Sequence, residues 1–412
     1  MGTSEGFRYA GEFEEQQAVV ICWPRIAEPV KGMYTLNVFA DIIKNLIGQA
    51  EVYVNCGFAG TYESCLETLK NKGIDPADVH ITRYPDIMNW SRDYGPDIMK
   101  DGAGNMRLVN FRFDMYGEGD ENSEMSTLCA RFAPHMAIEM GCTDIVNSIL
   151  ITEGGDKEFN GAGVMMAIED TEVTKRNSGL TKEQVEEEFK RLFNLKKIIW
   201  LPLGIYDDES ATLGVLDYVD GKPVYRSGSA NGHIDEMCRF VDKNTVLLAE
   251  VSEEEASRLE SARITKERLD MAYEVLKNET DGEGNPLRIL RIPTPEPYYV
   301  TTTPEDWTNV TWGKRFSEGE ENVLDDGTPM PEGGIIMQPA MSYCNFLICN
   351  GVVLAQSYWQ EGRPEAIKRR DEQALAVLQE AFPNRRIIPI PAMDLNIRGG
   401  GIHCVTKNIQ KY

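Results

Sequence analysis

Arg398-Gly399-Gly400-Gly401-Ile402-His403-Cys404-Val405-Thr406 lies close to the end of the 412-residue sequence. Three successive glycines allow a tight bend and a close approach of backbone to a ligand, because no Cβ stands in the way. They deliver a cysteine to the start of a short apolar run. A solvated tail has no use for such a pattern, so this end of the chain is expected to be tucked inside. The question it sets is whether Cys404 is a nucleophile, and which earlier residues converge on it.

Upstream, strand and helix signals alternate. Residues 18–23 are a continuous apolar run of strand type, 36–47 have helical spacing, and 51–55 alternate as a half-buried strand does. A helix over 62–71, a strand over 79–84 and a polar turn at 89–96 come after these. The rhythm then returns as strand 106–113, helix 126–140 and strand 145–152, and again as 164–168, 181–193 and 197–201. Next come strand 237–248, helix 253–277 and strand 287–292. The last round is a hairpin over 345–355 turning at Asn350-Gly351, a helix over 364–381 and a strand over 386–390.

About five strand–helix–strand modules result, which makes the chain α/β. Such alternation suits a doubly wound sheet. Hairpin signals at Asp101-Gly102 and Asn350-Gly351 suit small mixed sheets instead, and five of these around an axis would form a propeller. Periodicity leaves both open. Two stretches break the rhythm: residues 206–231, with a predicted hairpin around Asp220-Gly221, and residues 301–332, rich in proline, glycine and acids such as Glu318-Gly319-Glu320-Glu321. Both read as surface loops or lids. Asp281-Gly282-Glu283-Gly284-Asn285 lacks the spacing of a calcium loop and reads as a turn.

Apolar residues at 42% and charged residues at 26% fit a soluble chain with a sizeable core. No apolar run reaches the ~20 residues of a membrane span, and the first residues lack the basic start and apolar centre of a secretory signal. Nine cysteines, none in a C-x-x-C pair and most within apolar runs, read as reduced buried thiols of a cytoplasmic protein. A net charge of −24 would repel nucleic-acid phosphates. It favours a cationic partner, although an acidic solvated surface explains it equally.

Four histidines narrow the chemistry: His80, His135, His233 and His403. His80 and His135 fall in a predicted strand and helix and read as structural. His233, in Asn231-Gly232-His233-Ile234-Asp235-Glu236, enters a strand in which positions 233 and 235 are expected to share a face. His403 neighbours Cys404 and by the same alternation is expected to face away from it. Acidic clusters succeed other strands within turns: Trp90-Ser91-Arg92-Asp93-Tyr94-Gly95-Pro96, Glu153-Gly154-Gly155-Asp156 and Asp207-Asp208-Glu209. Singly, each is ordinary turn chemistry. Together with a loop cysteine and a distant histidine they fit a thiol nucleophile with an acid–base partner. Several carboxylates are what a buried cation requires, and guanidinium, planar and with five donors, suits paired carboxylates best.

The motifs Trp90-x-Arg92-Asp93-x-Gly95-Pro96, Glu153-Gly154-Gly155, Gly232-His233-Ile234-Asp235 and Gly399-Gly400-Gly401-Ile402-His403-Cys404 resemble, in order, those of the agmatine deiminase family, which includes bacterial-type peptidylarginine deiminases. Weaker similarity runs through Glu12-Phe13-Glu14, Pro295-Glu296-Pro297, Ser342-Tyr343-Cys344-Asn345-Phe346 and Ala381-Phe382-Pro383, so it spans nearly the whole chain. The resemblance implies a single catalytic domain over residues 1–412 with the pentein fold, a five-bladed α/β propeller of strand–helix–strand modules about a pseudo-fivefold axis. It also implies guanidine hydrolysis without metal or organic cofactor. Cys404 would attack the guanidinium carbon and His233 would serve as acid and then base. Asp93 and Asp235 would grip the nitrogens, with Glu153 assisting and orienting His233.

Candidates for contact with the rest of the substrate are Trp90, through a cation–π wall, together with Asp208, Asn231 and Arg112. The sequence departs from the family pattern near these residues. Roughly twenty extra residues separate Asp208-Glu209 from Asn231-Gly232-His233, and Arg112 stands where neutral or aromatic residues are usual. An arginine there could receive a carboxylate, which agmatine lacks. Agmatine conversion to N-carbamoylputrescine and ammonia is the expected reaction, with deimination of free or peptide-bound arginine as the alternative. An inactive pentein that only binds is a further class, opposed by the presence of Cys404, His233, Asp93 and Asp235 together. A homodimer is a family-level expectation.

Overall fold

In the computed structural model, which describes residues 6–85, 88–317, 323–331 and 333–411, one ββαβ pattern recurs five times. Each copy is an antiparallel pair whose second strand runs on, through a helix or helical segment, to a third strand lying parallel to it. The parallel centre strands are covered on both faces, which is why they read as unbroken apolar runs; every residue of Val164–Ile168 is buried. The covering helices are amphipathic. Thr35–Leu46 buries Val38, Phe39, Ile42, Ile43 and Leu46 beneath its own sheet.

In chain order, Asp97–Asp101 pairs with Met106–Arg112, which pairs parallel with Asp144–Ile151. Glu158–Phe159, Val164–Ile168 and Lys197–Leu201 repeat the arrangement, as do Cys238–Phe240, Thr245–Glu250 and Arg288–Pro293. Leu347–Cys349, Val352–Ser357 and Arg386–Pro391 form the fourth copy. The fifth joins distant parts of the chain: Lys407–Gln410 is the antiparallel partner of Gln16–Cys22, which runs parallel to Glu51–Asn55. The strand Lys407–Gln410 therefore ties the glycine-rich stretch into a sheet.

One consequence of this repetition positions the chemistry. The short turn leading into the first strand of each copy carries Asp93, Glu153, His233 with Asp235, Asn345 and Cys404 respectively. Residues far apart in sequence thus occupy the same structural position in successive copies.

The two irregular stretches are not independent loops. Asp217–Val219 and Lys222–Arg226 form the expected hairpin, and Lys222–Arg226 runs parallel to Ile336–Gln338, which pairs with Val300–Thr301. The hairpin of the first and the strands that flank the second build a sixth sheet that alternation could not foretell. The second stretch also holds the helix Trp307–Ser317; its acidic run Glu318-Gly319-Glu320-Glu321 lies outside the described residues.

Other expectations are corrected. Residues 237–248 are a hairpin, Cys238–Phe240 and Thr245–Glu250, turning through Asp242, whose carboxylate accepts from the backbone of Asn244 and Thr245. The helix over 253–277 is two helices, Glu253–Ala256 and Glu260–Leu276, the first capped by Ser252 and Glu255. Positions 233 and 235 do not share a strand face, because Ile234–Glu236 is a 3-10 turn. Among the described residues no helix is long and apolar enough to cross a membrane.

Candidate active site

Cys404 sits in a hydrogen-bonded turn over residues 402–405 and is buried. Asn345 clamps it: the Nδ2 group donates to Cys404 Sγ at 3.1 Å and to Glu236 Oε1 at 2.9 Å, while Oδ1 accepts from the His403 amide at 2.9 Å. One oxygen each of Asp235 and Glu236 lies within 4.8 Å of the sulfur and of the other. Burial, reinforced by Asp235, Glu236 and Asp93, pushes the Cys404 thiol well above its usual range. Gly400 has to be glycine, since a Cβ would stand 2.8 Å from Trp90 Cζ3 and 3.2 Å from the sulfur.

Asp93 accepts from the Tyr116 hydroxyl at 3.0 Å and from the Gly155 amide at 3.1 Å. Its carboxyl is pushed up to about 6 by burial, with Asp235 and Glu153 adding to the shift and His233 opposing it. Gly155 is the meeting point. A Cβ there would lie 2.4 Å from His233 Nδ1, 2.9 Å from Asp93 Oδ1 and 3.1 Å from Asp235 Oδ2. Three side chains therefore close on a space that only glycine leaves free.

His233 Nε2 is 3.3 Å from Glu153 Oε2, and Nδ1 is 3.7 Å from Asp93 Oδ1. Burial alone would lower its pKa. Asp93, Glu153 and Asp235 outweigh burial and hold the imidazolium up to about 10. Glu153 is itself held by Arg176, whose Nε donates to both carboxylate oxygens at 2.9 and 3.0 Å. Burial would raise Glu153, but Arg176 and His233 keep it below its usual value.

Asp235 is fastened by His403, whose Nδ1 lies 2.6 Å from Oδ2. His403 does not face away as strand alternation implies, because its backbone is a turn. It reaches from Asp235 to Glu12, 2.7 Å from its Nε2, and so sets the orientation of a carboxylate in the cluster.

The substrate-contact candidates divide. Trp90 lines a cavity of about 350 Å³ that descends to Cys404 and Asp93. Asp208 does not line it; the carboxylate accepts from the amides of Ala230, Gly232 and His233, and so holds the loop that carries His233. Asn231 also turns away, donating to the Tyr116 carbonyl at 3.1 Å. Arg112 lies outside the cavity, pairing with Glu121 and with the Ile149 carbonyl.

Residues 8–409 match the Porphyromonas-type peptidyl-arginine deiminase family. The chain belongs to that family. The chain is 27% identical to a protein of Selenomonas ruminantium named "Putative agmatine deiminase", over 98% of this chain and 96% of that one. It is 28% identical to a protein of the same name from Shewanella baltica, over 99% and 95% of the two chains. Among solved structures, agmatine deiminase of Enterococcus faecalis superposes with a TM-score of 0.75 at 22% identity, covering 100% of this chain and 98% of that one. The α/β fold is shared with these deiminases.

For this family member, reading the sequence missed Arg176, Tyr116, Glu236 and Asn345. Asn345 stood in a stretch already noted for similarity, and its place before the first strand of a repeat was the available signal. Arg176 lies in a π-helical turn, Asp170–Arg176, that no periodicity predicts.

Proposed function

We propose that this protein hydrolyses the guanidinium group of a small substrate through a covalent cysteine intermediate, releasing ammonia and a ureido product. The observation that carries the reading is the convergence of Asp93, Glu153, His233, Asp235 and Cys404 from four different repeats. We further take the five repeats as blades of one pentein propeller over the whole chain, which would bring their leading turns to a common axis. The names of the curated relatives make agmatine, giving N-carbamoylputrescine, the reference substrate; the nine buried free thiols are in keeping with a cytoplasmic setting.

In this scheme Asp93 and Asp235 grip the guanidinium nitrogens and align its carbon with the sulfur. The empty site disfavours thiolate, because burial and three carboxylates oppose it. A bound cation reverses that balance, so substrate binding helps to ionise Cys404. The thiolate forms a C–S bond to the guanidinium carbon. His233, protonated at neutral pH, gives its proton to one nitrogen as the C–N bond breaks, and ammonia leaves. Neutral His233 then takes a proton from water as it attacks the amidino-thioether; the C–S bond breaks, the electron pair returns to sulfur, and the adduct's hydroxyl proton passes to the thiolate, replacing the one Cys404 gave up to solvent and freeing the ureido product. The test is to incubate the protein with agmatine, free arginine and a short arginine peptide and to measure ammonia and ureido product. Release from none of them overturns the reading.

The pH dependence has a defined sign. Asp93 must be ionised to hold a cation, so kcat/KM is expected to fall as pH drops through about 6. The Tyr116 hydrogen bond lowers the Asp93 pKa, so Tyr116→Phe is expected to move this limb to higher pH. A profile flat through that range, or a limb unmoved by the substitution, would exclude Asp93 from the role.

A further inference from the structure

The cavity that reaches Cys404 is lined by charges of both signs. Asp93 lines it, and so do Arg25 and Arg398. Among the described residues neither arginine has a carboxylate within ion-pair distance. Arg398 donates from Nη1 to the Ile26 carbonyl at 3.2 Å, its Nε is buried without a partner, and its guanidinium lies 5.2 Å over the Trp307 ring. Arg25 stacks 5.2 Å over Phe58. Burial, and the neighbouring Arg25, pull the Arg398 pKa down to about 10.

Two adjacent cations, one of them with a buried donor that lacks a partner, leave a demand for an acceptor unmet. A molecule that supplied an anion would meet that demand, and paired guanidinium forks suit a carboxylate. An ammonium tail meets the opposite situation, repelled by both arginines. One acidic residue, Glu118, also lines the cavity, and it accepts from Ser210 Oγ at 2.6 Å.

We infer that Arg25 and Arg398 form an anion-receiving subsite, so that the preferred substrate is a guanidinium whose far end carries a carboxylate. The inference rests on the deiminase reading and concerns the same cavity. Arg112, outside the cavity, has no part in it. The carboxylate would pair with Arg25 and Arg398 while the guanidinium meets Asp93 beside Cys404, so both ends of the substrate are charge-matched. An α-ammonium, where the substrate has one, would find Glu118.

Three substrates separate the alternatives: 4-guanidinobutanoate has only the carboxylate, agmatine only the ammonium, and arginine both. The carboxylates are expected to exceed agmatine by at least ~10-fold in kcat/KM. Arg25→Gln and Arg398→Gln are each expected to raise KM for them by ~10-fold or more with little change in kcat, because the lost contact is made equally in ground and transition states. KM for agmatine should stay or fall. Arg25 is exposed, so its variant tests the subsite even where a change at Arg398 disturbs folding, and Arg398→Lys should restore part of the affinity. Agmatine preferred by the wild type, with KM values indifferent to both substitutions, overturns the subsite. Ammonia from none of the three substrates overturns the deiminase reading instead. In that case binding of 4-guanidinobutanoate and agmatine to the wild type by calorimetry still decides the subsite: it stands if only the former binds and Arg25→Gln weakens it, and falls otherwise.

Discussion

Cys404→Ser is expected to abolish turnover, by at least ~10³-fold in kcat, with little change in folding stability. The substitution is nearly isosteric and leaves the Asn345 Nδ2 group an acceptor in place of the sulfur it now contacts at 3.1 Å. What it removes is ionisability, since a serine hydroxyl has no alkoxide form available at neutral pH. A purely structural thiol would show the reverse pattern, lost stability with retained turnover. The wild-type thiol offers a second readout. Because burial, Asp235, Glu236 and Asp93 all raise its pKa, alkylation at neutral pH should be slow in the free protein. An unreactive guanidinium at Asp93 and Asp235, small enough to leave the sulfur exposed, should speed it. A pH–alkylation profile that the bound cation leaves unchanged would contradict substrate-assisted ionisation.

Much of this site was legible because its residues stand in turns, where glycine and acidic residues cluster in readable motifs. Asp93, Glu153, His233, Asp235 and Cys404 could all be picked out, and the five modules emerged from apolar runs alternating with amphipathic helices. What failed was inference from strand alternation at the edges of those modules. His233 with Asp235 and His403 with Cys404 were both read on a two-residue period, whereas a 3-10 turn and a hydrogen-bonded turn set their directions. Arg112 was read as a mouth residue because it stands where the family usually has neutral or aromatic residues; its guanidinium instead pairs with Glu121. The arginines that do enter the cavity, Arg25 and Arg398, come from irregular segments. Their shared position is a product of tertiary folding, which no local pattern encodes.

Among the buried charges, Arg239 is the one on which the framework beneath the site depends. Arg239 is completely buried, and its Nε lies 2.5 Å from Glu158 Oε1 while Nη2 lies 3.1 Å from Glu12 Oε2. Its Nη1 donates to the carbonyls of Cys344 and Phe346 at 3.0 and 2.6 Å. It thereby links the strand Cys238–Phe240 to the strand Glu158–Phe159, to the turn before Leu347–Cys349 and to Glu12, which in turn contacts His403. Arg239→Met is expected to cost at least ~3 kcal/mol of stability, because it removes the ion-pair partner of the buried Glu158 and leaves Glu12, which faces it, to His403 and Arg92 alone. Arg239→Lys, which keeps the charge but not the fork, should fall between. The pH dependence distinguishes this origin from a simple packing loss. Burial would raise the Glu12 pKa, but His403, Arg239 and Arg92 outweigh it and hold it well below its ordinary 4.5. A carboxyl depressed in this way contributes stability above its unfolded pKa and loses that contribution as pH falls. The gap in urea midpoint between wild type and Arg239→Met should therefore narrow below about 4.5 as the wild type gives up what the variant already lacks. A gap that stays constant as the pH is taken well below that value would assign the loss to packing against the Phe346 ring, 4.6 Å from the guanidinium, and not to charge.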